Sequence, residues 1–102
     1  MLDALEKMLA KGTDNALLRF GLGKGYLDAG DAEQAALHLK ACVAFDAEYS
    51  AAWKLLGKAY SALEDKEAAA KAWQAGIDCA QRKGDKQAEK EMSVFLKKLN
   101  KG

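Results

Sequence analysis

Residues 49–82 read YSAAWKLLGKAYSALEDKEAAAKAWQAGIDCAQR. Laid without a gap over residues 15–48, NALLRFGLGKGYLDAGDAEQAALHLKACVAFDAE, they agree at nine of 34 places. The matches are Leu22 with Leu56, Gly23 with Gly57, Lys24 with Lys58, Tyr26 with Tyr60, Asp31 with Asp65, Glu33 with Glu67, Ala35 with Ala69, Ala36 with Ala70 and Ala41 with Ala75. A fixed period of this length marks a repeat architecture, in which each unit buries its apolar face only against its neighbours.

Within each unit the apolar residues recur at three- and four-residue spacing: Leu18, Leu22 and Tyr26, then Ala35, Leu39, Cys42 and Val43. That spacing predicts two helices per unit. Gly30 and Asp31 punctuate them, the glycine suited to a left-handed stop and Asp31, with Gln34 three residues on, to capping the next helix. In the second unit Glu64 replaces the glycine. Either the turn differs there or the residue bears strain of about 1 kcal/mol.

Outward from the repeats, Gly12-Thr13-Asp14 and Gly84-Asp85 pair a glycine stop with side chains able to cap the next helix. Six helices follow, at about 2–11, 14–29, 32–46, 48–63, 66–82 and 86–99. The first carries Leu2, Leu5, Met8 and Leu9 on one stripe. The last carries Ala88, Met92, Phe95, Leu96 and Leu99 on one face and Lys86, Glu89, Lys90, Lys97 and Lys98 elsewhere, as a lid over the second unit requires. The division expected is one domain over 1–102: an amino-terminal helix over 1–14, repeats at 15–48 and 49–82, and a capping helix over 83–102.

Trp53, Leu56-Gly57, Tyr60, Ala69 and Trp73 resemble the tetratricopeptide signature of aromatic, Leu-Gly, Tyr, Ala and Phe, and Leu22-Gly23, Tyr26, Ala35 and Leu39 match it in the first unit. The resemblance implies an all-α fold, a right-handed stack of antiparallel helix pairs. Physical chemistry agrees with it. Gly23, Gly57, Ala35, Ala69, Cys42 and Gly76 are small where paired helices nearly touch, and large residues fill the gaps between pairs. Two departures stand out. Arg19 occupies the tryptophan position of the first repeat, predicting a thinner or wetter core there, and Ala47 and Gln81 replace the proline that usually ends a repeat.

The chain has 102 residues, half of them apolar and 30% charged, with no proline, which suits an ordinary globular protein. A net charge of +1 gives no field to draw it to nucleic acid or anionic membrane. Asp3 and Glu6 lie where a secretory signal would be basic, so the expected location is cytoplasmic. The basic end, Arg82 to Lys101, is interleaved with Asp85, Glu89 and Glu91 and reads as a solvated face. Gly21-Leu-Gly-Lys-Gly25 lacks the spacing and the preceding strand of a phosphate loop, and Gly21 and Gly25 point instead to a close contact with the first helix. His38, the only histidine, is expected on the surface of a second helix. Cys42 and Cys79 form no Cys-x-x-Cys and read as small apolar fillers; no metal site, cofactor or catalytic residue is indicated.

In tetratricopeptide proteins the first helix of each pair lines a concave groove that holds a peptide, so the resemblance implies a protein-interaction module and not an enzyme. It places Leu17, Phe20, Lys24 and Leu27 of the first repeat, and Ala51, Lys54, Lys58 and Ser61 of the second, on that groove. The lysines suit acidic side chains or a terminal carboxylate, and the apolar residues suit van der Waals contact. Lys24 and Lys58 stand where the family's two-carboxylate clamp needs asparagines, so this is a different site. The expected partner is a protein or peptide, acidic segments included, and the chain is a monomer or weak homodimer. The alternative is a structural subunit or homodimer whose groove its own chain or a twin fills, through aromatics such as Phe20 or Phe95.

Overall fold

The computed structural model describes residues 2–101. Over that span it holds six helices: α1 (Leu2–Ala10), α2 (Ala16–Asp28), α3 (Ala32–Phe45), α4 (Ser50–Ala62), α5 (Lys66–Lys83) and α6 (Lys86–Lys101). Each helix packs on the next in chain order, and α2, α4 and α6 also touch in succession. The result is a slab of antiparallel pairs measuring 42 × 28 × 18 Å.

The boundaries follow from caps. Asp31 accepts from the Gln34 amide at 3.1 Å, Asp65 from Ala68 at 3.1 Å and Asp85 from Ala88 at 3.1 Å, each tying down a free amide at a helix start. Two helices start later than the sequence pattern suggests. Asn15, in extended conformation, caps α2 by accepting from Leu18 at 2.8 Å, while Asp14 turns its carboxylate to Arg19. Tyr49 precedes α4 without a side-chain cap. Gly12, Gly30 and Gly84 close α1, α2 and α5 with φ of 102°, 85° and 74°. At the position matching Gly30, Glu64 adopts φ 61°, so the turn is kept and the glutamate bears the strain, about 1 kcal/mol.

Close approach sets the core. A methyl group added at Gly23 would meet the branched end of Leu39, and one at Gly57 would strike the indole of Trp73. Leu39 and Cys42 are fully buried in a cluster that includes Leu56, Ala52 and Ala59 of α4, and Leu22 of α2 is fully buried too. A second apolar cluster gathers Ala69, Trp73, Ile77, Ala80 and Met92, with Ala88, Phe95, Leu96 and Leu99 of α6 packed on it. The stripe read on the last helix is therefore its docking face.

On α1, Leu2, Leu5 and Leu9 are half-buried but Met8 is exposed. The two intrahelical glycines of α2 receive it: a methyl at Gly25 would lie 2.6 Å from Leu2 and one at Gly21 3.2 Å from Leu5. Gly21 to Gly25 thus lie inside a helix, and their function is contact.

Candidate functional site

The four residues singled out on α2 share one helical row but not one environment. Leu17 is 72% exposed, and Lys24 is exposed and paired with Asp28 at 3.3 Å. Phe20 stacks on Tyr49 with ring centroids 4.9 Å apart, and Leu27 packs on the first core cluster. Half of this row already contributes to folding.

The α4 row behaves differently, because all of it meets α6. Lys54 pairs with Glu91 at 3.5 Å, and the Lys58 ammonium lies 5.0 Å over the Phe95 ring. Ser61 borders a depression of about 310 Å³ shared with Lys66 and Trp73 of α5 and Phe95, Lys98 and Leu99 of α6. Lys54 with Ala51 also lines a smaller hollow beside Glu91. Of the large residues around the Ser61 depression, Trp73 reads from the sequence only as a repeat position, Leu99 only as a lid position, and Phe95 as a lid position or a self-association aromatic, none of them as part of a peptide site. That Lys98 and Leu99 follow Phe95 by three and four residues along α6 is visible in the sequence; the meeting of three helices is not.

A second polar constellation sits where α1, α2 and α3 converge, and it overturns one expectation. His38 is buried, only 4% exposed, and not a surface residue. Its ring stacks parallel to Tyr26 at 5.5 Å, Arg19 Nη1 lies 3.1 Å from Nδ1, and Glu6 Oε1 lies 3.8 Å from Nε2. Arg19 in turn is held by Asp14 at 2.7 and 2.9 Å. At Arg19 the packing between the helices is therefore polar where the second repeat has Trp53, and His38 is part of that polar set. The Arg19 bond lowers the Asp14 carboxyl pKa below its ordinary value, while burial, with Arg19 adding to it, lowers that of His38. Burial pushes the Cys42 thiol up to about 11 and raises that of Cys79; both are free.

The basic end is partly tied down, since Arg82 forks onto Glu48 at 2.6 and 3.2 Å and Lys83 donates to the Glu48 carbonyl at 2.8 Å. Among the described residues no three His, Cys, Asp or Glu side chains gather as a metal site, and no helix is long and apolar enough to cross a membrane.

No family model matches the sequence. A TPR repeat-containing protein of Pseudomonas aeruginosa is 67% identical over 100 residues, covering 98% of this chain and 95% of the relative. The solution structure of a protein from Bordetella parapertussis superposes with a TM-score of 0.86 at 46% identity, over 99% of this chain and 88% of that one. The crystal structure of a tetratricopeptide repeat domain protein from Salinibacter ruber gives a TM-score of 0.78 at 23% identity, over 85% of this chain and 97% of that one, a likeness of fold alone.

Proposed function

The chain belongs to the tetratricopeptide repeat family, whose members generally mediate protein–protein interaction as non-enzymatic scaffolds, and from that premise we propose that its α2, α4 and α6 face holds a peptide segment of another protein. The groove comprises Leu17, Phe20, Lys24 and Leu27 on α2 and Lys54, Lys58 and Ser61 on α4. The observation that carries the reading is the α4 row: Lys54 and Ser61 border open hollows between α4 and α6, and Lys58 between them stands over the Phe95 ring. Lysines there favour an acidic segment, since opposite charge both steers the encounter and fixes register. With two repeats the covered area is small, so the affinity is modest. The chain works in the cytoplasm in this reading.

The test is charge reversal. Lys54→Glu with Lys58→Glu should abolish capture of acidic peptides while leaving helicity intact; undiminished capture removes the site. Self-association is the second reading, favoured by α3, which leaves Leu37 and Phe45 54% and 55% exposed where the second repeat has Lys71 and the buried Cys79. A mass by light scattering that stays monomeric at every concentration excludes it.

A further inference from the structure

We propose that the depression where α4, α5 and α6 meet is an anchor pocket for one large apolar side chain, carried by a partner segment with acidic residues on both sides of it. The inference rests on the groove reading above and adds to it which residue of the partner does the anchoring.

The floor is apolar and shaped by aromatic rings. Trp73 and Phe95 lie with centroids 5.4 Å apart and planes tilted by 38°, and Leu99 completes the wall. The Trp73 indole N–H is already spent on the Lys54 carbonyl at 3.1 Å, so what it offers an incoming group is ring surface. A volume of about 310 Å³ sits at the lower end for ligand pockets, which suits one side chain and not an extended apolar ligand.

The rim supplies the second half of the specificity. Ser61, Lys66 and Lys98 border the hollow, Lys58 stands over the Phe95 ring, and among the described residues no carboxylate lines it. Three acidic groups on the neighbouring elements are engaged elsewhere: Glu91 with Lys54, Glu67 with Lys71, and Asp65 with the Ala68 amide. Lys98 is exposed and forms no ion pair among the described residues. An apolar hole ringed by ammonium groups repels a basic peptide and leaves a purely apolar one without partners for the rim. A leucine, phenylalanine or tryptophan between acidic residues satisfies both parts. Nucleic acid fits less well, because the chain as a whole carries a net charge of only +1.

The full chain is titrated by NMR with acetyl-Asp-Glu-Phe-Glu-Asp-amide, and with the same peptide carrying alanine for phenylalanine. The expected result is movement of the Trp73 indole N–H and of the Ser61, Phe95 and Lys98 amides, with the alanine peptide binding about tenfold or more weakly. Ser61→Trp, which fills the hollow from a half-buried surface position, should weaken the first peptide by about tenfold. Lys98→Glu should weaken it several-fold, and circular dichroism confirms that both variants stay folded. Equal binding of the two peptides, or no binding of either, overturns the pocket. Shifts confined to Leu17, Phe20 and Lys24 overturn it too but leave the groove standing, whereas loss of all peptide capture by the parent chain sinks both. An oligothymidylate that moves the same pocket resonances more tightly than the peptide also overturns it.

Discussion

In the first repeat Gly23 lies under the branched end of Leu39; in the second Gly57 lies under the indole of Trp73. Beside these contacts the first repeat sets Arg19 against His38, and the matching positions of the second are Trp53 and Ala72. A guanidinium meeting an imidazole has the place that an indole beside a methyl group has one period later. The difference shows what the period constrains. It requires a missing side chain where two helices touch, and leaves open whether the space around that contact is filled by carbon or by a hydrogen-bonded polar set.

If the second repeat is the firmer of the two, Trp73→Ala should be the most damaging substitution, costing about 3–5 kcal/mol by urea unfolding. A larger loss from the smaller truncation Leu39→Ala would reverse the ranking. Gly57→Ala comes next, at about 1–3 kcal/mol even after the helix gains from alanine, because the rigid indole cannot yield. Gly23→Ala should cost less, since the Leu39 side chain can rotate; equal losses would erase the distinction between the two contacts. The turns give a third comparison, in which Glu64→Gly should raise the unfolding free energy by about 0.5–1 kcal/mol and Gly30→Ala lower it by a similar amount. No gain from Glu64→Gly would mean that its left-handed backbone is unstrained.

The smallest effect concerns pH and belongs to the first repeat alone. Burial and then the Arg19 charge hold the folded His38 below its ordinary pKa of 6.5, so as pH falls the unfolded chain takes up the proton first. The stability this histidine contributes is complete above 6.5 and fades as pH drops from there toward the lower folded value. His38→Ala should flatten that part of the stability curve. Asp14, with its pKa lowered by the Arg19 bond, adds a separate loss only as pH falls through and below 3.8. A curve for His38→Ala parallel to the parent's would assign the slope to other groups.

Most of the architecture was legible because its signals are local. Asp31, Asp65 and Asp85 cap where a capping residue precedes a periodic run, and Gly21 and Gly25 mark the seat of α1, since glycine inside a helix needs a neighbour to justify it. The start of α2 was not legible, because Thr13, Asp14 and Asn15 can all cap and the choice falls to Asn15 when Arg19 claims Asp14. His38 misled for a similar reason. Its burial depends on an arginine nineteen residues away and on a glutamate from α1, neither of which a helical pattern reveals. On the candidate site, the α4 row was placed by the family resemblance, but its partners Glu91 and Phe95 on α6 come only from the packing of α6 against α4.

Cys42 lies in α3 and Cys79 in α5, both fully buried, so each hairpin of the pair carries one sulfur of its own. A thiol whose pKa is about 11 is thiolate in roughly one molecule in ten thousand at neutral pH, and closed packing hides even that fraction from an alkylating reagent. Labelling at either position then waits for its hairpin to open, and mass spectrometry can time the two openings in one tube.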